Sequence, residues 1–259
     1  MSPEKRSEYG LRPGDEVPEP AGRALTRASP FSVVVPVYNE ARLVDDAVTQ
    51  IMHALETLGG DFEMLVCENG STDNTALLVD RLRREDLRIR LERLPEPDYG
   101  GAMRHGIAAC RHDRVVIFNI DFWSVDFTRR ALDELDRCDM IVGSKVMDGA
   151  TDHRPLFRRL ITRAFNLMLK WVFGFSGTDT HGMKAFRKSA VSGVLTRCVT
   201  ARSIFDTELV LRAERAGLRI VEIPVEVREI RQPGYLSVAR RLPEVTWNML
   251  KLAFGLIRG

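Results

Sequence analysis

An α/β fold with a mostly parallel sheet is predicted by the way the chain alternates. From Phe31 to Val146, short apolar runs rich in valine and isoleucine alternate with longer amphipathic segments of helical period. The apolar runs lack polar alternation, which is typical of parallel strands buried on both faces. Strands that alternate with helices form a parallel sheet with helices packed on both faces.

The individual elements follow from this alternation. Strands are predicted over Phe31–Val37, Phe62–Cys67, Leu87–Leu94, Arg114–Ile120 and Met140–Val146. Helices are predicted over Glu40–Leu58, from the capping residues Ser71–Asn74 to Arg84, from Gly100 onwards, and over Asp126–Arg137. A longer helix with recurring Arg and Lys is predicted over Pro155–Phe175.

Composition limits the class of protein. The chain has 259 residues, of which 44% are hydrophobic, enough for one sizeable core. The formal net charge of +2 argues against a nucleic-acid-binding protein. The four cysteines lack metal-ligand spacing, so we expect buried free thiols in a reducing compartment. No segment has the roughly 18 apolar residues of a membrane-spanning helix.

Three parts of the chain are expected. Residues 1–30 are rich in charge, proline and glycine and are predicted to be a disordered leader. Residues 31–232 form the α/β domain, and residues 233–259 form a C-terminal amphipathic helix.

Polar residues follow three of the predicted strands, at the edge where ligands bind in such sheets. Tyr38 and Glu40 come directly after the first strand, Glu68 to Thr75 follow the second, and Asp121 ends the fourth. Each segment has an ordinary explanation, as a strand end, a helix cap or a solvated acid. Their occurrence at several carboxyl ends of one sheet indicates a binding site.

These segments resemble the motifs of the inverting glycosyltransferases of family 2, which have the GT-A fold. They are most similar to the polyprenyl-phosphate branch, the dolichyl-phosphate mannose and glucose synthases. The matching segments are Val35–Glu40, Glu68–Thr75, Tyr99–Gly106, Gly143–Lys145, Asp179–Phe186, Phe205–Leu209 and Val221–Val225. The resemblance implies transfer of a hexose, mannose or glucose, from a nucleotide-sugar donor to a polyprenyl phosphate with inversion. Two alternatives remain open: a soluble hydroxyl acceptor, and a nucleotide-sugar-binding protein that has lost catalysis.

The resemblance and the basic residues nearby define an expected site. The donor is expected to contact Pro36, Tyr38, Glu40, Glu68, Asn69, Ser71, Gly101, Arg104, Asn119 and Arg228. The acceptor is expected to contact Lys145, Arg154, Arg158, Arg163 and His181. The expected catalytic residues are Asp121, Asp179 and Arg231.

A divalent cation, Mg²⁺ or Mn²⁺, is implied at Asn119 and Asp121, where the family usually has Asp-x-Asp. Asparagine ligates through its carbonyl oxygen but brings no charge, and Trp123 stands where a glutamine ligand is frequent. Fewer anionic ligands predict weaker binding of a hard cation. A metal at this site would neutralise the leaving nucleotide diphosphate, and Arg228 and Arg231 would share that task.

The acceptor decides whether a general base is needed. A lipid phosphate is already an anion, whereas a neutral hydroxyl must give its proton to a carboxylate. The candidate bases are Asp179, Asp206 and Glu208, with Asp179 first. Asp206, taken alone, is better explained as a helix cap.

Two amphipathic segments suggest that the acceptor is bound at a membrane surface. Pro155–Phe175 and Leu242–Ile257 combine apolar and aromatic residues with Arg and Lys. Such helices bind the interface of anionic membranes. We therefore expect a cytoplasmic protein that associates peripherally with an anionic membrane surface. The alternative is that both helices pack on the sheet with their charges in solvent.

Overall fold

The strands and helices lie close to where the alternation predicts them. The computed structural model describes residues 29–200, 204–227, 247–249 and 252. The strands are β1 (Phe31–Val37), β2 (Phe62–Asn69), β3 (Ile89–Leu94), β4 (Arg114–Ile117), β5 (Met140–Ser144), β6 (Thr151–Asp152), β7 (Lys184–Arg187), β8 (Ile220–Pro224) and β9 (Glu226–Val227). The helices are α1 (Val44–Glu56), α2 (Thr75–Glu85), α3 (Tyr99–Ala109), α4 (Val125–Glu134), α5 (Leu156–Phe173), α6 (Lys188–Leu195) and α7 (Phe205–Arg215).

Seven of these strands form one sheet in the order β3-β2-β1-β4-β7-β5-β8. β1 runs parallel to β2 and β4, β2 runs parallel to β3, and β5 runs parallel to β8. The prediction of a mostly parallel sheet is therefore confirmed. β7 lies antiparallel between β4 and β5, a reversal that was not predicted. β7 has only four residues and begins with a lysine, so no apolar run marks it in the sequence.

Helices cover both faces of the sheet, as predicted. Side chains alternate between the two faces along a strand. In β1, Val33 and Val35 pack with residues of α1, α2 and α4, whereas Val34 packs with residues of α3, α6 and α7. The uninterrupted apolar run of β1 therefore contributes to two cores at once.

The loops after β2 and β4 differ in detail from the predictions. β4 ends at Ile117, and the backbones of Asn119 and Phe122 then hydrogen-bond each other in both directions across a tight turn (3.2 and 3.0 Å). Before α2, Asn74 precedes the helix without a side-chain cap. The polar residues ahead of it contact the loop after β1 instead, as described below. Ser71 and Asp73 thus make contacts between loops, and Asp73 also accepts from the amide of Thr75 at the start of α2 (3.0 Å).

Several predictions fall outside the described residues. Residues 1–28 of the expected leader, Arg228, Arg231 and most of the expected helix over 233–259 belong to this group. All four cysteines are free and buried, as expected. Within the described ranges, no helix combines the length and apolarity needed to cross a membrane.

Candidate functional site

The loop after β1 is held by the loop after β2. Ser71 Oγ accepts a hydrogen bond from the backbone amide of Asn39 (3.0 Å), and Asn39 Oδ1 accepts one from the amide of Thr72 (2.8 Å). Asn39 has a positive φ of 55°, a conformation that asparagine tolerates better than most residues. The neighbouring Tyr38 is exposed at 45%. These contacts present Tyr38 to solvent at the carboxyl edge of the sheet.

The next two amides of the same loop are fixed in a similar way. Thr75 Oγ1 accepts from the amide of Glu40 (2.8 Å), and the carboxylate of Asp73 accepts from the amide of Ala41 (3.1 Å). Desolvation raises the pKa of Asp73, but hydrogen bonds from the hydroxyl and amide of Thr75 and from the amide of Ala41 outweigh it and lower the pKa. Two adjacent motifs of the sequence therefore form one rigid unit.

Glu68 and Asn69, expected at the donor, both bind other parts of the protein. Glu68 is fully buried, and its carboxylate accepts from the amide of Ser71 and from Arg93 Nε (3.3 Å). Asn69 Oδ1 accepts from the amide of Asp98 (2.6 Å). These bonds fix the turn between β2 and α2, and contact of either side chain with a donor stays a prediction.

The expected glycine segment begins α3. Asp98 caps this helix by accepting from the amide of Gly101 (2.9 Å). A Cβ at Gly100 would lie only 2.3 Å from the carbonyl oxygen of Thr200, so this backbone approach requires glycine. Arg104 donates to the carbonyl of Cys198 (3.2 Å) and lies 3.6 Å from the Asp98 carboxylate. Arg104 therefore ties α3 to the loop after α6, and its donor contact is not tested by this geometry.

The Asn119–Asp121 turn lies at the carboxyl end of the central strand β4. Asn119 is exposed and Asp121 is half-buried. In residues 29–200 and 204–227, neither side chain makes a hydrogen bond or ion pair, and no cluster of three His, Cys, Asp or Glu residues is present there. Trp123 packs against the core and adds no oxygen. Mg²⁺ is commonly held by one or two protein oxygens together with substrate phosphates and water. The two residues fit a cation of that kind.

Lys145, expected at the acceptor, and Asp179, expected in catalysis, form a buried ion pair. Lys145 Nζ lies 2.7 Å from Asp179 Oδ2, with the two side chains 8% and 1% exposed. Burial alone would raise the pKa of Asp179, but the charge of Lys145 and the hydrogen bonds to the carboxylate outweigh it and hold the pKa below its usual range. Asp179 also accepts from the amide of His181 (3.0 Å). A carboxylate this buried and this weakly basic is poorly suited to take a proton from an acceptor.

Asp206 is also committed to an ion pair. Lys184 Nζ, 1% exposed, lies 2.7 Å from Asp206 Oδ1, and the hydroxyl of Tyr99 donates to Asp206 Oδ2 (3.0 Å). Burial opposes the charge of Asp206, but Lys184 and these hydrogen bonds lower its pKa. The expectation that Asp206 caps a helix is wrong, since Ile204 precedes α7 and Asp206 lies inside its first turn. This network of Tyr99, Lys184 and Asp206 connects the starts of α3, β7 and α7.

Glu208, the third candidate base, is fully buried. One carboxylate oxygen accepts from the amides of Val199 (3.0 Å) and Thr200 (2.7 Å), and the other accepts from Arg212 Nε (2.8 Å). Glu208 therefore stabilises the loop after α6. All three carboxylates considered as general bases are engaged by protein groups.

His181 and Arg154 have different surroundings from each other. The ring of His181 reaches solvent, packs edge-on against Phe165 at 5.2 Å between centroids, and is crowded by two ion pairs. The protein atoms packed around the ring lower its pKa by desolvation, and the charge of Asp206 partly opposes this effect. Arg154 is buried and donates twice to Asp152 (2.9 and 2.8 Å). The guanidinium of Arg154, which was predicted to contact the acceptor, is therefore already paired with Asp152.

Helix α5 turns an apolar face towards solvent. Leu156, Leu160, Leu167 and Trp171, which we call the α5 outer face, are 72%, 62%, 56% and 82% exposed. Only Asn166 and Leu169 of this helix are buried. Arg163 is exposed and Arg158 half-buried. The inner side of the helix packs on the core through Leu169, Phe165 and Met168. The expected membrane contact and the alternative, a helix packed on the domain with its charges in solvent, therefore both stay predictions.

Sequence reasoning missed three members of this region. Tyr99 and Lys184 complete the Asp206 network, and Glu222 of β8 accepts from the amides of Thr178 (2.7 Å) and Asp179 (3.0 Å). The residue types were visible in the sequence, but β7 and β8 were not predicted as strands. The partners of these residues lie far away in the sequence, so the residue types alone identified no contact.

Comparisons with known proteins identify the family to which the chain belongs. The chain matches the family model described as glycosyl transferase family 2 over residues 32–195. Glycosyltransferase AglD of Haloferax volcanii is 36% identical over 209 residues, 75% of this chain and 32% of AglD. This chain thus spans about a third of the length of AglD. The dolichyl-phosphate beta-glucosyltransferase of Saccharomyces cerevisiae is 26% identical over 225 residues, 77% of this chain and 67% of that protein.

A solved structure supports the fold. Glucosyl-3-phosphoglycerate synthase of Mycobacterium tuberculosis, in complex with Mn²⁺, UDP and glucosyl-3-phosphoglycerate, has a TM-score of 0.64 at 18% identity, over 91% of this chain and 86% of that one. At this identity the likeness concerns the fold alone, and it confirms the predicted GT-A architecture. The family model covers well over half of the 259 residues. The chain therefore belongs to glycosyl transferase family 2.

Proposed function

We propose that this protein transfers a hexose, mannose or glucose, from a nucleotide-sugar donor to a polyprenyl phosphate with inversion. The observation that carries the choice of acceptor is the engagement of Asp179, Asp206 and Glu208 in buried ion pairs. A neutral hydroxyl needs a base to take its proton. A phosphate monoester is already an anion near neutral pH and needs none.

The reaction is a single displacement. One oxygen of the acceptor phosphate forms a bond to the anomeric carbon on the face opposite the nucleotide. The bond from that carbon to the diphosphate oxygen breaks, and the nucleotide diphosphate leaves with its electron pair. A Mg²⁺ or Mn²⁺ held by Asp121 and Asn119 would neutralise charge on the diphosphate. Lys145 supplies a fixed cation on the acceptor side, and Asp179 orients it.

The relatives support this acceptor class. A dolichyl-phosphate beta-glucosyltransferase from Trichomonas vaginalis is similar to 88% of this chain, at 26% identity. Its name, like that of the yeast relative, states a lipid-phosphate acceptor and a glucosyl group. Mannose and glucose both remain within the proposal, because no described contact of this chain distinguishes them.

We further propose that the α5 outer face binds an anionic membrane surface. Four apolar side chains of this face are more than half exposed. The helix carries Arg158, Arg159, Arg163 and Lys170 and has no acidic residue. An apolar face edged by cations inserts at the boundary of anionic lipid head groups, where each cation contributes about 1 kcal/mol. This location would bring the enzyme, on the cytoplasmic side, to a lipid-linked acceptor.

The acceptor is tested with a matched pair of lipids. Purified protein is incubated with labelled UDP-glucose or GDP-mannose, Mg²⁺ or Mn²⁺, and either a polyprenyl phosphate or the corresponding polyprenol. We expect transfer only to the phosphate, and a product of inverted anomeric configuration by NMR. Equal transfer to the polyprenol would refute the phosphate acceptor. Tight nucleotide binding without any transfer would favour a protein that has lost catalysis.

The membrane proposal is tested by flotation with vesicles. Leu160→Glu places a charge in the α5 outer face, and Leu87→Glu makes the same change at a leucine that is 86% exposed ahead of β3. We expect Leu160→Glu to stay in the soluble fraction while Leu87→Glu floats with phosphatidylglycerol vesicles as wild type does. A wild-type dimer that Leu160→Glu dissociates would instead assign this face to a second copy of the chain.

A further inference from the structure

The inner side of α5 contacts the segment that carries the acceptor-side residues. Asn166 Nδ2 donates to the backbone carbonyl of Thr178 (2.5 Å), and the Phe165 ring packs against His181. These two neighbouring helix residues therefore touch both ends of residues 178–181. The opposite side of the same helix is the exposed α5 outer face.

Residues 178–181 are braced as one unit. Thr178 binds Glu222 through its amide and its hydroxyl (2.7 and 2.8 Å), and the amide of Asp179 binds the same carboxylate. Asp179 in turn holds both the amide and the ammonium of Lys145 (3.3 and 2.7 Å). Hydrogen bonds therefore connect α5 to Thr178 through Asn166, and the adjacent Asp179 to Lys145.

Burial of the Asn166 side chain at this position is energetically unfavourable. It is only 5% exposed, on a helix whose other buried residue is Leu169. Its Oδ1 is buried without a hydrogen-bond partner in the described structure. A buried polar atom left unpaired is destabilising, and leucine would fill a similar volume without that cost. What asparagine adds over leucine is the bond to Thr178.

We propose that Asn166 is a positioning residue, through which binding of the α5 outer face to an anionic lipid surface adjusts residues 178–181 and Lys145 for sugar transfer. This inference rests on the proposed function and deepens it. Lipid acts here as an activator through the helix, in addition to carrying the acceptor. Transfer to an acceptor that is itself soluble in water is therefore stimulated by vesicles.

The experiment uses a short, water-soluble prenyl phosphate as acceptor. Its kcat/KM is measured with and without acceptor-free vesicles of phosphatidylcholine and phosphatidylglycerol. For wild type we expect a rise of about fivefold or more, the usual lower range of coupling between two sites. Asn166→Leu is expected to bind the vesicles normally, keep its affinity for the nucleotide, and lose the rise. Leu160→Glu is expected to lose vesicle binding and the rise together.

Two outcomes overturn the proposal. One is a wild type that binds vesicles without any rise in kcat/KM, and the other is an Asn166→Leu variant stimulated as strongly as wild type. Phe165→Leu provides a second variant should Asn166→Leu fold poorly, which the melting temperature reveals. Its stimulation is expected to fall below that of wild type, and full stimulation would count against the proposal.

A measurement that does not depend on sugar transfer distinguishes the coupling through Asn166 from the proposed function. Hydrogen exchange of the amides in residues 178–184 is compared with and without vesicles. We expect slower exchange with vesicles in wild type and no change in Asn166→Leu. If vesicles slow this exchange but no acceptor is glycosylated, the proposed function fails and the coupling stands. If exchange is unchanged while transfer occurs, the coupling fails and the function stands.

Discussion

Replacing Asp179 with asparagine tests whether Asp179 and Lys145 form a buried ion pair beside the proposed acceptor site. The change keeps the size of the side chain and removes its charge, so the ammonium of Lys145 stays in its 8% exposed position without a counter-ion. Breaking one half of a buried ion pair costs about 3–5 kcal/mol of folding free energy. We expect a loss near 3 kcal/mol, because the amide oxygen of asparagine can still accept a hydrogen bond from Lys145.

The contribution of this ion pair to stability depends on pH in a direction that follows from the pKa of Asp179. The pKa of Asp179 is lowered in the folded protein. The pair therefore stabilises the fold above the ordinary aspartate pKa, and this contribution is lost as the pH falls through the lower folded value. The difference in stability between wild type and Asp179→Asn should be complete at pH 7 and shrink below about pH 4.

The assay is urea unfolding at several pH values, with the double variant Lys145→Met, Asp179→Leu as control. Replacing both members of a buried pair with apolar residues is frequently neutral, so the double variant should recover most of the lost stability. A loss below about 1 kcal/mol for Asp179→Asn would show that the pair is not desolvated as the structure indicates. An acid limb in the wild-type pH–rate profile that disappears in Asp179→Asn would instead support a general base.

Further predictions concern the loops and the cation. Asn119→Asp should tighten Mn²⁺ binding to the nucleotide-free protein by about tenfold, measured by titration calorimetry, because it adds an anionic oxygen to the site. Ser71→Ala should lower the free energy of unfolding by about 1 kcal/mol and raise the donor KM, because the loop after β1 loses a hydrogen bond. Gly182→Ala should cost about 3 kcal/mol or more, because its Cβ would lie 1.7 Å from the carbonyl oxygen of Gly143.

The predictions for the cation and for the glycine each have a clear contrary result. Unchanged Mn²⁺ affinity in Asn119→Asp would remove this residue from the cation site. For the glycine, Gly193→Ala in α6 is the matched control, because nothing lies within 4 Å of its Cβ position. It should raise the melting temperature slightly through helix propensity. A Gly182→Ala protein as stable as wild type would contradict the close approach of the two backbones.

The loops at the strand ends could be predicted from the sequence because their signals are local. A buried strand and the polar residues that follow it are adjacent in the chain, so Tyr38 and Asp121 lie beyond strand ends as predicted, whereas β2 extends to Asn69 and includes Glu68. The contact between the first two loops follows from parallel neighbours in the sheet. The distinction between capping a helix and bracing a loop depends on distances that the sequence does not contain.

The ion pairs and the orientation of α5 could not be predicted in this way. Lys184 and Asp206 meet only because a reversed strand and a later helix begin at the same edge of the sheet. Helix α5 carries apolar residues on most of its circumference, so periodicity alone does not tell which side faces the domain. The inner side is marked by Leu169, which packs in the core, and by Asn166, which is bonded to a distant carbonyl.

The reversed strand β7 also bears on the order in which the protein folds. Among the described strands, β5 pairs only with β7 and β8, so it has no place in the sheet until residues 184–187 have been made. Strands β1 to β4 pair among themselves and need no later residue. Non-local pairings form slowly because their loops must close first. One half of the sheet can therefore assemble early during synthesis, and the carboxyl edge, where the proposed site uses both halves, is completed last.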